Sequence, residues 1–302
     1  MSAPAISRRQ FLKGIGVGTT AALAGQLLIA PATHASETNA DETWAVLVDL
    51  TRCVGCNSCV LACKESNNLP NPTTPPDALS SEAYTFVDTH QVPNASGEME
   101  ERYAKRQCMH CVDPACVSAC PAAAMYKSEE GQVVYRSERC LGCRYCQMAC
   151  PFEVPSFEWD NGVTPVISKC WMCVDKLKEG DVPACVGACP NGALRFGNRK
   201  ALLAQAHAQI ESNPNRYIDH VFGEFEVGGT SMLYLSDVPF EAMGFPTNLP
   251  LTAPTEETEK IMNTLPAVIT GTTALMAGIA YYTQRRQAHK LAIKDEIKDE
   301  EA

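Results

Sequence analysis

An excess of positive charge is the first thing this sequence lacks. Lys and Arg number 25 against 35 Asp and Glu, a net charge of −10 over 302 residues. A chain so balanced has no basic surface to meet phosphates, which excludes nucleic acid as a partner. The tools of substrate chemistry are also missing. No Ser/His/Asp grouping, no phosphate-cradling glycine loop and no placed pair of carboxylates occurs, so the chain is not read as an enzyme acting alone. Acid is absent from the whole N-terminal stretch before Glu37. With 45% apolar and 20% charged residues the composition is globular rather than disordered or fibrous, and the length allows about two domains. The abundance that has to be explained is 16 Cys, far more than an ordinary enzyme of this size carries.

The acid-free start has the layout of a targeting segment. SRRQFLK at 7–13 resembles a twin-arginine export signal, the weakly apolar GIGVGTTAALAGQLLIA follows at 14–30, and Thr33-His34-Ala35 offers small residues for cleavage. The reading is a signal over 1–35. Twin-arginine export carries folded, cofactor-loaded proteins, so an exported chain need not spend its cysteines on disulfides. Near the other end, LPAVITGTTALMAGIAYY at 265–282 carries no charge. As a helix it spans about 27 Å, close to the roughly 30 Å of a hydrocarbon core. Glu256, Glu257 and Glu259 precede it; Tyr281, Tyr282, Arg285, Arg286 and Lys290 close it. By the positive-inside rule the C-terminus is cytoplasmic and the cysteine-rich body lies on the other face. A core helix is the competing reading of so short a run. The last stretch, KLAIKDEIKDEEA, reads as a solvated helix or tail.

The cysteines fall into four groups of four. Cys53, Cys56, Cys59 and Cys63 are spaced C-x2-C-x2-C-x3-C, and Cys140, Cys143, Cys146 and Cys150 repeat that spacing. Cys108, Cys111, Cys116 and Cys120 have four residues in the middle gap, and Cys170, Cys173, Cys185 and Cys189 have eleven. Pro121, Pro151 and Pro190 follow the last Cys of three groups, whereas Lys64 stands there in the first. The run matches the bacterial ferredoxin spacing for [4Fe–4S] clusters. A tight C-x2-C-x2-C loop turns three thiolates toward one cubane, and the fourth Cys is expected to begin a helix and point to a neighbouring cluster. Sixteen thiolates then make four clusters with none over. Structural zinc would give paired C-x2-C units without a consistent x3-C tail, and thiols two residues apart in a repeated array are poorly placed for disulfides.

The flanks resemble the halves of two-cluster ferredoxins. The second group ends CPAAAMY, turns at Gly131-Gln132 and runs through strand VVYRSERC into the third, making one unit over about 103–154. The fourth ends CPNGALRFG, as a first motif does, and the first is entered by WAVLVDLTRC, as a second motif is. The outer pair thus reads as a unit split by insertion of the inner one. In this nesting Cys53, Cys56 and Cys59 share a cluster with Cys189, and Cys170, Cys173 and Cys185 share one with Cys63. Cys108, Cys111 and Cys116 go with Cys150, and Cys140, Cys143 and Cys146 with Cys120.

Between the ligands lie His110, read as a packing residue before a cluster-tuning one, and Trp171, Met109, Met148 and Tyr145, read as cover against water. Arg52, Arg139, Arg144 and Lys169 adjoin ligands and are read as offsets to cluster charge. Elsewhere, 200–212 has helical periodicity ended by Asn213-Pro214, 228–239 reads as a strand after a Gly turn, and 66–98, with five Pro, reads as a long irregular insertion.

With QCMHCVDPACVSACP, CRYCQMACPFEVP, KCWMCVDKLKEGDVPACVGACPNGALRFG and VGGTSMLYLSDVPFEAMGFP in place, the chain resembles the four-cluster ferredoxin-type subunits of membrane-bound respiratory oxidoreductases over roughly 44–285. Two branches are similar: formate dehydrogenase beta subunits, which share the eleven-residue gap, and hydrogenase-2-type iron–sulfur subunits, which carry their own export signal. The resemblance implies an α+β fold of two nested ferredoxin-like two-cluster units related by a pseudo-twofold, plus one C-terminal transmembrane helix. It divides the chain into signal 1–35, body 36–263 (inner unit about 103–154, outer unit 44–65 plus 166–200, extension 200–263), transmembrane helix 264–283 and cytoplasmic tail 284–302. It further implies four [4Fe–4S] clusters on the periplasmic side of the inner membrane. Electrons would pass from a catalytic subunit oxidising H2 or formate to an integral membrane quinone-reactive subunit.

Overall fold

The computed structural model describes residues 42–300, apart from 71–73, 94–96, 160–161 and 163–165, with side chains described up to residue 290. The export signal expected over 1–35 lies outside these residues. In chain order the elements are β1 (Trp44–Asp49), α1 (Ser58–Ser66), β2 (Thr85–Pro93), β3 (Met99–Gln107), α2 (Ala115–Ser118), β4 (Met125–Lys127), β5 (Val133–Tyr135), α3 (Tyr145–Ala149), β6 (Ser156–Phe157), β7 (Ile167–Ser168), α4 (Val174–Lys178), α5 (Ala184–Gly187), β8 (Leu194–Asn198), α6 (Arg199–Ser212), β9 (Met232–Leu235) and α7 (Pro254–Glu300).

The segment AVLVD of β1 is buried throughout, as a strand covered on both faces must be. It is the middle strand of a sheet ordered β8-β1-β9. It pairs antiparallel with β8 from Trp44↔Asn198 to Val48↔Leu194, and parallel with β9 from Val46↔Met232 to Asp49↔Leu235. Side chains alternate with period two. Val46 and Val48 join Leu194, Met232 and Tyr234 in the main core, while Ala45 and Leu47 pack with Leu202, Ala206 and Ile210 of α6 on the opposite face. Those three lie at i, i+4 and i+8, and Asn198 caps the helix by accepting from the Ala201 amide at 3.3 Å. The inner region is smaller: β4 pairs with β5, β6 with β7, and its core cluster holds three buried residues, Met125, Cys146 and Ile167. Residues 229–232 join the two regions. They hydrogen-bond the 109–112 loop (Val112 N to Gly229 O, 2.9 Å; Met232 N to Met109 O, 3.1 Å) before entering β9.

The reading of 66–98 as irregular needs correction. β2 and β3 form a nine-residue antiparallel hairpin registered from Thr85↔Gln107 to Pro93↔Met99. Four of the five prolines precede it, and Pro93 is the last residue of β2, at the end of the ladder, where a missing N–H costs no interior ladder bond. Arg102 ties the hairpin to the body through Nε and an Nη bonded to Asp237 at 3.1 and 3.0 Å.

The C-terminal helix is longer than the expected span. α7 runs for 47 residues, and the part long and apolar enough to cross a membrane, Pro254–Lys290, has no share of its apolar window buried in the chain. It is not a core helix of this chain, since Leu265, Ile269, Leu275, Met276 and Ile279 are all exposed. The three threonine hydroxyls of the apolar stretch are satisfied within the helix: Thr270 donates to Pro266 O, Thr272 to Val268 O and Thr273 to Ile269 O. That internal satisfaction is what a hydrocarbon surrounding demands.

Candidate metal centres

Each C-x2-C loop has the same backbone signature. Its third residue is left-handed: Gly55 at φ 68°, His110 at 48°, Gly142 at 67° and Met172 at 54°. Two of these are not glycine, and an L-residue in that region costs on the order of 1 kcal/mol, a strain held by the surrounding fold. The twist aims the amide at the first sulfur, with Gly142 N to Cys140 Sγ and Met172 N to Cys170 Sγ both 3.4 Å. The second and fourth groups share a further half-motif. A Pro caps each short helix (Pro114 before α2, Pro183 before α5), and a left-handed Ala123 or Gly192 follows the last Cys. Ala124 N and Ala193 N then donate to Cys120 Sγ and Cys189 Sγ at 3.2 and 3.3 Å. This internal duplication matches the repeat read in the sequence.

The fourth cysteine of the run does not begin a helix, as the spacing was read to imply. Cys63 sits inside α1, and Cys150 caps α3 at its C-terminus. Lys64 accounts for the difference. Without the proline that ends α3 at Pro151, α1 continues to Ser66. The buried Lys64 ammonium binds Pro70 O at 2.9 Å and Glu82 O at 2.6 Å, fastening the insertion to the helix.

Two cavities fall where thiols of separate groups meet. One is lined by Cys53, Cys56, Cys59 and Cys189, the other by Cys120, Cys140, Cys143 and Cys146. The sulfurs surround a space rather than converge on a point, and no group of three or more Cys, His, Asp or Glu among the described residues is placed to hold a single metal ion. The remaining thiols also have cross-group neighbours. Cys63 lies in the field of Cys185 and Cys173, and Cys111 and Cys116 in that of Cys108 and Cys150. Burial pushes the Cys59 and Cys146 thiols up to about 11 and Cys63 and Cys116 up to about 12. Buried sulfurs of that kind become thiolates when cationic metal offsets the charge. The donor set, all sulfur and gathered around enclosed spaces, therefore fits four-iron clusters.

The other residues singled out in the sequence divide. His110 is fully buried, with Nδ1 accepting from the Val133 amide at 3.1 Å, so it braces β5 as a packing residue. Burial, with Lys169, Lys105 and Lys127 nearby, holds it well below the usual imidazole range and hence neutral. Met109 is buried, and Trp171 stacks on Tyr135 at 5.7 Å. Met148 and Tyr145 are 82% and 57% exposed and cover nothing within this chain. Arg52, Arg139 and Arg144 are exposed, Arg144 lying over the Phe157 and Trp159 rings. Lys169 is buried, donating to Val133 O and Cys170 O at 2.6 and 2.9 Å. Sequence reading missed Lys105, which lines the first cavity from the hairpin; forty-two residues from the nearest thiol of that loop, it leaves no local signal.

Fold and thiols together define a ferredoxin-type 4Fe–4S protein. Residues 99–199 match the 4Fe-4S dicluster domain. The chain is 40% identical to a protein of Nitratidesulfovibrio vulgaris over 96% of its own length and 80% of that protein's. It is 33% identical to the hydrogenase-2 operon protein HybA of Escherichia coli O157:H7 over 93% and 95%, respectively. With the nitrate-inducible formate dehydrogenase iron-sulfur subunit of Escherichia coli K12 it shares 36% identity over 63% and 67%. The chain belongs to the family of ferredoxin-type iron–sulfur subunits of respiratory oxidoreductases, and is an electron-transfer subunit rather than a catalytic one.

Proposed function

We propose that this chain is a four-cluster wire, carrying electrons from a catalytic subunit that oxidises H2 or formate to a quinone-reactive subunit in the membrane. The observation that carries the reading is the composition of the two cavities, each lined by three thiols of one run and the closing thiol of another. It supports the nested ligation throughout, with Cys63 closing the Cys170, Cys173, Cys185 set and Cys150 closing the Cys108, Cys111, Cys116 set. Bound clusters supply one-electron transfer; the protein supplies spacing, burial and field.

An order for the wire is supported by which thiols lie in one another's field. Cys170 lies in the field of both Cys63 and Cys108, which supports a junction between the outer and inner pairs there. The ends are then the Cys53 loop and the Cys140 loop. The membrane helix leaves the body beside the inner region: α7 packs on α2, and the Thr255 hydroxyl donates to Asp113. This favours the Cys140 end, with its exposed Leu141, Tyr145 and Met148, for the membrane partner, and the Cys53 end for the catalytic one. The topology goes with it: signal over 1–35, body on the periplasmic side, one helix within 254–290 crossing the inner membrane, and a cytoplasmic C-terminus.

The test is a pair of ligand variants. Cys189→Ser is expected to lose about four iron per chain and the spectrum of the Cys53-loop cluster, and Cys63→Ser that of the Cys170 cluster. Loss of the Cys170 cluster from the Cys189 variant would overturn the nesting. Metal analysis of the complex captured through this chain distinguishes the catalytic partner: nickel for a hydrogenase, molybdenum or tungsten for a formate dehydrogenase or another pterin enzyme.

A further inference from the structure

Lys105 is 3% exposed, and no ion pair with a carboxylate is found for it among the described residues. Its ammonium donates to one neutral group, Gln107 Oε1, at 2.7 Å. Gln107 in turn donates to the Tyr234 hydroxyl at 2.6 Å, and that hydroxyl donates to Lys105 O at 3.0 Å, closing a buried ring. A buried ammonium without a counter-charge is costly, so the compensation has to come from what surrounds it. Lys105 lines the cavity of Cys53, Cys56, Cys59 and Cys189. The thiols whose field it shares, Cys53, Cys59, Cys63, Cys170, Cys173 and Cys185, all belong to the outer pair. Lys169, also buried, acts instead on Cys116 and Cys150 of the inner region. Each lysine therefore reaches across. Lys105, on the strand leading into the second group, serves the outer clusters, and Lys169, beside the fourth group, serves the inner ones.

We propose that Lys105 is the residue that sets the reduction potentials of the two outer clusters, its fixed positive charge stabilising their more negative, reduced forms. The inference rests on the cluster assignment proposed above. The experiment is a redox titration of the full-length, cluster-loaded protein in detergent, followed by electron paramagnetic resonance, with iron counted per chain. Lys105→Met is expected to shift both outer midpoints to more negative potential while the two inner ones move less, and Lys105→Arg to restore them. Gln107→Glu, which sets a carboxylate against the ammonium without emptying the site, should move the same two midpoints the same way by a smaller amount. Unchanged outer midpoints in a fully loaded Met or Glu variant would overturn the proposal, as would four equal shifts. Loss of outer-cluster iron in both neutralised variants would make Lys105 a structural residue and overturn it too. Absence of any cluster signal from the unaltered protein would instead sink the cluster reading itself, so the two failures are distinct.

Discussion

The Cys53–Cys63 and Cys140–Cys150 loops share spacing and backbone but differ in their surroundings. In the first, Gly55 and Asn57 take φ of 68° and 57°; in the second, Gly142 and Arg144 take 67° and 60°. A Cβ on Gly55 would meet the Tyr103 ring of the hairpin at 2.5 Å, whereas one on Gly142 would meet nothing within 4 Å. The first loop leads into a nine-residue helix pinned through Lys64; the second stops after five residues at Cys150. The cluster motif thus dictates the local path, and the insertion between the first and second groups decides how much of it is covered. Val54 and Leu61 stay 56% and 50% exposed at the covered end, against 73% and 82% for Leu141 and Met148 at the bare one. Both ends keep apolar surface, and the bare end keeps more.

Four changes break or sharpen this contrast. Gly55→Ala adds a side chain in a left-handed position and against Tyr103, so a loss of about 3 kcal/mol is expected. Gly142→Ala carries the backbone penalty alone, about 1 kcal/mol. Thermal unfolding of the loaded proteins measures both, and equal losses would mean that the hairpin does not cover the first loop. Lys64→Met removes a charged donor from Pro70 O and Glu82 O and should cost about 2 kcal/mol, with faster amide exchange or proteolysis confined to 67–84. If exchange rises equally around Cys140, the lysine is not a local fastener. The smallest effect is expected at the Arg102–Asp237 pair, partly exposed at 23% and 25%. A double-mutant cycle should return about 1 kcal/mol of coupling, and a value near zero would leave apolar packing as the hairpin's hold on the body.

What could be read from the sequence was what is written locally. The thiol spacing, the apolar run of β1, the i, i+4, i+8 face of α6 and the strand after Gly228-Gly229 each carry their period in a few adjacent residues. The hairpin was hidden because TFVDTHQVP mixes polar and apolar residues on a half-exposed ribbon and ends in proline. The cover expected from Tyr145 and Met148 was misjudged because being adjacent to a ligand does not say which way a side chain faces. Lys64 was visible as a departure from the Cys-Pro pattern, but its two carbonyl partners lie 6 and 18 residues away. Lys105 was invisible for the same reason on a larger scale. The helix was found, though its apolar core was taken for its length; the charged flanks of α7 continue it well past the apolar stretch on both sides.

The pairing of β1 with β8 has a consequence in time. The two strands are separated by some 150 residues, with the whole inner region between them. β4 and β5 meet across one short turn. Closing a long loop is entropically dearer and slower than closing a short one, so the inner region is expected to form first and the central sheet to close around it. β9, farther still along the chain, must then add its edge to β1. Cys53, Cys56 and Cys59, among the first thiols to be synthesised, therefore meet Cys189, which lines the same cavity, only late, as β8 joins the sheet. A chain interrupted anywhere before residue 198 would present those three sulfurs without the strand that completes their surroundings.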